Sequence, residues 1–181
     1  MNANTKPAKW IAVTAMGVAL VVVAQYLGSL IPDIAVIFGP FSVKQLITGT
    51  LVNCVLLVFT AMAGLTSGAV IGFLSAFLAA FMGISQIVVS PAVAIGNALL
   101  CVVYSLLARR PSWHVPAMLL GAVVKCAFLW LTVPLILGLT GLPEKQTTML
   151  SIMFSWPQGV TALCGGIISW PIIVRLKKAE Q

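Results

Sequence analysis

Acidic side chains are almost missing from this chain. Its 181 residues include three of them, Asp33, Glu144 and Glu180, and a single histidine, His114. None of the three acids lies inside a long apolar run. A carboxylate pair for general acid and base work, a Ser/His/Asp set and an intramembrane aspartyl or zinc protease site are therefore excluded as readings. So is a proton relay, which needs a carboxylate or histidine at membrane depth. The pattern GxxxxGK[ST] does not occur, which excludes ATP hydrolysis by a P-loop. The four cysteines, Cys54, Cys101, Cys126 and Cys164, all sit in apolar runs and none has CxxC spacing. They read as small buried apolar residues, not as a disulfide framework or a zinc site. No metal, no cofactor and no enzymatic activity are expected.

Charge of either sign is scarce. Charged residues make up 7% of the chain, whereas a soluble domain carries roughly 25%. What fills the sequence is apolar: 61% hydrophobic residues, with a mean hydropathy of +1.13. The apolar runs are continuous and not alternating, so they read as helices and not as a membrane β-barrel. A spanning helix needs about 20 such residues. Turn residues divide the chain into six candidate spans, at about 10–31, 46–63, 68–84, 91–108, 115–139 and 148–175. The expected fold is an all-α integral membrane protein, one compact bundle of six transmembrane helices in a single domain over 1–181. The first run, Trp10 to Ile31, is long enough to span and is followed by no small-x-small cleavage site. It reads as a retained helix and not as a signal peptide.

The few cations orient the bundle. Lys6, Lys9, Arg109, Arg110, Arg175, Lys177 and Lys178 fall on the side of the termini, and only Lys44 and Lys145 on the other. The positive-inside rule then predicts that both termini are cytoplasmic. The net charge of +7 comes from these span-flanking residues and does not indicate nucleic-acid binding. Ser112 and His114 share the Arg-rich loop at 109–116, which reads as a charged anchor.

One cation does not flank a span. Lys125 lies within the apolar stretch GAVVKCAFLW at 121–130. A lysine at the bilayer centre costs at least ~2.5 kcal/mol by insertion scales, so a function or a partner must offset it. Side-chain amides keep it company. At ~1.5 Å per residue, Gln25, Gln45, Asn53, Gln86 and Asn97 fall in the half of the membrane away from the termini. Gln158 and Lys125 fall near the middle. No Asn, Gln or charged residue falls inside the other half. Unpaired amides are not tolerated in lipid, so the set predicts a polar pocket opening away from the termini, above an apolar plug. Each amide taken alone can also serve only to tie helices together.

Two further stretches border this zone. Gly121, Lys125, Phe128 and Thr132 share a helical face. In MFSWPQGV, at 153–160, Pro157 is expected to kink the sixth span and free the carbonyl of Met153, four residues back. Trp156 beside it offers a flat ring and one N–H donor. The candidate substrate-binding residues are Lys125, Gln158, Trp156, Asn97, Asn53, Gln45 and Phe128. Small residues also line helices. Gly64, Gly68 and Gly72 make a GxxxGxxxG row in the third span, and Ala12, Ala15 and Ala19 a small face on the first. Such rows allow close backbone approach, within the bundle or against another membrane protein.

These residues carry a resemblance. The AxxxA step of Ala15 and Ala19, the long 32–45 loop ending FGPFSVKQL, and the stretches LITGTLVN, AIGNALL and MFSWPQGVTALCGG resemble those of the substrate-binding S-components of energy-coupling factor (ECF) vitamin transporters. The likeness extends over nearly the whole chain. It implies capture of a vitamin or related micronutrient from outside a prokaryotic cell membrane. It also implies docking, through Ala12, Ala15 and Ala19, onto a transmembrane coupling protein driven by two cytoplasmic ATPases, with the 32–45 loop helping to cover the pocket. The family's members bind unlike ligands, so the substrate stays open among pantothenate, lipoate, biotin-like acids, nucleobase-derived precursors and cobalamin precursors. The rival readings are a self-sufficient carrier or channel for a small polar solute, and a non-transporting membrane scaffold.

Overall fold

The computed structural model describes residues 5–32, 36–109 and 113–179. Asp33, Arg110, Ser112 and Glu180, and part of the 32–45 loop, lie outside them. Helix α1 runs from Thr5 to Ser29. A short antiparallel hairpin follows, β1 (Val36–Phe38) and β2 (Phe41–Ser42). Ser42 caps helix α2 (Val43–Ala63) by accepting from the Gln45 amide N–H, which satisfies one of the open donors of its first turn. Gly64, at φ 93°, makes the tight reversal into α3 (Leu65–Phe81). A 3₁₀ turn (Ile87–Val89) leads into α4 (Ser90–Leu107), which has Pro91 in its first turn, where no N–H is missed. Helices α5 (His114–Gly138), α6 (Glu144–Met153) and α7 (Trp156–Ala179) complete the chain.

This is an all-α bundle with the composition of a multi-pass membrane protein. Five segments are long and apolar enough to cross a membrane: Pro7–Ser29, Val43–Ala63, Ile87–Leu107, His114–Gly138 and Glu144–Ala179. Helix α3 is also apolar but shorter, at 17 residues. The outward faces carry large apolar side chains on every long helix, among them Leu20, Val23, Ile95, Val123, Leu131, Leu135 and Ile167. A soluble monomer does not tolerate such a continuous apolar surface; lipid does.

Small and polar side chains set the packing inside. Thr14 of α1 and Ser67 of α3 share a buried hydrogen bond of 2.6 Å between their hydroxyls. Gly68 packs against Thr60 of α2, and Gly72 against Asn97 of α4 and Leu56 of α2. The glycine row of the third span is thus spent on contacts within the bundle, with Gly64 as the turn before it. By contrast, Ala12, Ala15 and Ala19 lie on the exposed face of α1. The most extensive helix pair is α2 with α7. There Gly165 lets the α7 backbone approach that of α2 so closely that a methyl group at Gly165 would lie 2.7 Å from the Thr50 carbonyl oxygen.

The sixth span departs from the sequence expectation. It is two helices, not one kinked helix over 148–175: α6 ends at Met153, Phe154 and Ser155 form a turn, and α7 starts at Trp156. Pro157 is the second residue of the new helix, where its missing N–H breaks no bond. The Met153 carbonyl is indeed released, but by a helix end. The prolines that do lie in helix interiors are Pro134 in α5 and Pro171 in α7.

Candidate functional site

Six helices bring polar side chains to one place. The end of α1 contributes Gln25 and the first turns of α2 contribute Lys44, Gln45, Thr48 and Asn53. Ser75 comes from α3, Asn97 from α4, Lys125 from the middle of α5 and Gln158 from the first turn of α7. These residues line a cavity of about 300 Å³. That volume is at the small end of ligand pockets, which run from about 300 to 1,000 Å³. Ala76, Ala79, Val52, Val93 and Phe154 supply its apolar wall. The cavity lies in the half of the bundle away from residues 5 and 179. The other half holds an apolar cluster of Leu57, Leu100, Ala117, Met118, Ala122, Ala162 and Ile173 around Tyr104.

Hydrogen bonds within the bundle fix the polar lining. Lys125 is 2% exposed, and its Nζ donates to Asn53 Oδ1 at 2.7 Å. Asn53 in turn donates from Nδ2 to the Gly49 carbonyl at 2.8 Å and, more weakly, to Thr161 Oγ1 at 3.4 Å. Its amide orientation is therefore determined: the NH₂ faces a carbonyl that only accepts, and the oxygen faces a lysine that only donates. Asn97 Nδ2 donates to the Gly72 carbonyl and to Ser75 Oγ, both at 3.1 Å. Gln25 Nε2 donates to the Ser75 carbonyl at 2.9 Å, and Gln45 Nε2 to the Met153 carbonyl at 2.9 Å. Gln45 thus holds the end of α6, and with it the break before α7.

Of the seven sequence candidates, Gln45, Asn53, Asn97, Lys125 and Gln158 line the cavity. Trp156 and Phe128 do not. Trp156 is the first residue of α7; its indole is 40% exposed and meets Phe41 of the hairpin edge-on at 5.2 Å. Phe128 packs against a separate apolar cluster built from Val89, Leu129, Val133 and Leu150. The expected ring clamp at Trp156 is therefore absent from the lining. Gln25, which the sequence places in the amide set of the polar zone though not among the seven candidates, also lines the cavity. Ser75 and Thr48 gave no signal, since a hydroxyl in an apolar helix ordinarily bonds its own backbone.

Among the described residues, the chemistry of the lining is two lysines and several amides and hydroxyls, with no carboxylate. Among the described residues no cluster of His, Cys, Asp and Glu is suited to a metal. Buried oxygens of Gln25, Gln45, Thr48 and Asn97 lack a hydrogen-bond partner. A buried polar group without a partner costs free energy. Comparisons with family models, with curated proteins and with solved structures return no match.

Proposed function

We propose that this protein is a substrate-binding membrane subunit of the S-component kind, which captures a small micronutrient in the cavity and hands it to a partner transport machine. The observation that carries this reading is the asymmetry of the bundle. Polar groups from six helices converge on a cavity in one half, while Leu57, Leu100, Met118 and Ile173 close the other half with apolar contacts. Such a chamber binds a solute from one side and offers it no wet path through. With cations concentrated at the terminal side, both termini lie in the cytoplasm, all six apolar segments cross the membrane, and the cavity faces outward. The sequence has no P-loop pattern and no acid within a long apolar run, and in this reading energy for transport comes from ATPase partners through a membrane coupling protein.

Native mass spectrometry of protein purified in mild detergent tests the reading. A small molecule retained by the unmodified protein is expected. Protein that retains nothing, yet conducts solute by itself in liposomes, would instead be a self-sufficient carrier or channel.

The exposed small face of α1 is the docking surface in this reading, since Ala12, Ala15 and Ala19 leave a shallow strip against which another helix can lie. Replacing Ala15 and Ala19 together by leucine is expected to abolish co-purification with the coupling protein and uptake by cells. Retention of the small molecule should be unchanged. Uptake that survives the double change would move the interface elsewhere.

A further inference from the structure

We infer that Gln158 is the amide that reads the substrate, and that the substrate presents a hydrogen-bond donor and an acceptor side by side, as the edge of a ureido, lactam, primary amide or nucleobase group does. This rests on the proposed reading of the cavity as a substrate chamber. The lining has five side-chain amides, and four of them are spent on the protein itself. The NH₂ groups of Gln25, Gln45, Asn53 and Asn97 donate to the backbone carbonyls of Ser75, Met153, Gly49 and Gly72. Their oxygens are closed to a ligand as well. That of Asn53 accepts from Lys125, and those of the other three are buried in the protein.

Gln158 differs from all four. It stands on the buried stripe of α7, one turn before Thr161 and Ala162 and two turns before Gly165, and it lines the cavity only half-buried. Among the described residues its hydrogen bonds are those of its backbone. The N–H donates to the Ser155 carbonyl at 3.1 Å, and the carbonyl accepts from Thr161 Oγ1 at 3.1 Å. Both ends of the side-chain amide stay uncommitted. An amide carries a donor and an acceptor side by side, so one group satisfies both ends only if it carries an acceptor and a donor side by side. Asn and Gln read the edge of adenine in this way, and such a bidentate pair discriminates by about tenfold or more. A carboxylate brings two acceptors and an ammonium only donors, so each leaves half of the amide unmet. A cavity of about 300 Å³ is sized for a single small ring or chain bearing such an edge, and not for a corrin macrocycle.

Two matched pairs of probes isolate the edge. Biotin and lipoate share a pentanoate chain on a sulfur-containing ring, but only biotin has ureido N–H groups. 1,3-Dimethyluracil is uracil with both N–H groups methylated. Purified protein is exposed to each equimolar pair and analysed by native mass spectrometry, together with whatever molecule co-purifies. Retention of biotin or uracil at least tenfold above its partner is expected, or a co-purified molecule whose fragments contain such an edge. Gln158→Met is expected to lower that retention at least tenfold. It should leave the thermal midpoint of the empty protein in detergent unchanged, because the amide ties nothing in the bundle. Four results each overturn the inference and leave the proposed function standing: lipoate or dimethyluracil retained as well as its partner, a co-purified molecule without the edge, unchanged retention in Gln158→Met, or a midpoint lowered by many degrees in that variant. Protein that retains neither a native molecule nor any of the four probes overturns both.

Discussion

Replacing Lys125 by methionine is expected to weaken substrate retention at least 100-fold while the empty protein stays folded. Methionine keeps the length and the apolar stem of the side chain and removes only the ammonium. Hydrogen bonds to charged groups contribute about 1.5–3 kcal/mol, and a 100-fold loss corresponds to about 2.7 kcal/mol. The cost to the empty protein is small because two effects offset. Asn53 Oδ1 loses its donor at 2.7 Å. In exchange, a buried cation that no carboxylate among the described lining residues compensates is gone. Native mass spectrometry reads retention, and the thermal midpoint in detergent without ligand reads stability. Unchanged retention would remove Lys125 from the site. Intact retention with a midpoint lowered by many degrees would make it a structural lysine tied to Asn53.

The second large effect is at Gly165. A side chain there would enter a close contact with neighbouring backbone: its Cβ would sit 2.7 Å from Thr50 O, 2.8 Å from Asn53 Cβ and 2.8 Å from Cys54 N. Two of these three atoms are backbone, so the neighbours cannot rotate away and α2 must shift. Overpacking of this kind costs about 1–3 kcal/mol, and Gly165→Val is expected at or above the top of that range. Retention should fall with stability, because the displaced segment carries Asn53 and through it Lys125. Gly138→Ala is the control: nothing lies within 4 Å of its Cβ position, and it should leave both quantities unchanged. Denaturant titration in detergent micelles measures the two variants. A Gly165→Val protein as stable as the parent would mean that α2 and α7 pack more loosely than described.

The sequence made the apolar helices legible because continuous hydrophobic runs and turn residues are local signals. It also made the polar zone legible, since an amide or lysine in an apolar run stands out whatever its surroundings. Gln45, Asn53, Asn97, Lys125 and Gln158 could be grouped by depth alone, and all five line one cavity. Direction around a helix was harder to read. Trp156 and Phe128 have suitable depth but do not line the cavity: Trp156 opens α7 after a break at Phe154–Ser155, and Phe128, three residues beyond Lys125 on α5, packs against the Val89 and Leu129 cluster. That break has no strong local mark. Pro157 is equally compatible with a kinked helix and with the start of a new one, and contacts from other helices, Gln45 to Met153 O and Cys126 to Ser155 O, accompany the second. Partners also decide which atoms stay open. The sequence shows an amide; which of its two ends is spent on backbone depends on a neighbouring helix.

The shortness of α3 has a consequence for the surrounding lipid. Its 17 residues rise about 25 Å, against a hydrocarbon core of about 30 Å. The chain leaves the helix early, reverses at Gly83 with φ 71°, and so brings Ile84 and Ser85 to the cavity wall. A full-length helix would carry them past it. If α3 crosses the membrane, the price is hydrophobic mismatch, met by thinning the bilayer on that flank at a fraction of a kcal/mol per Å, on the order of 1 kcal/mol in all. The wall of the binding cavity and the local thickness of the membrane are then set by the same few residues.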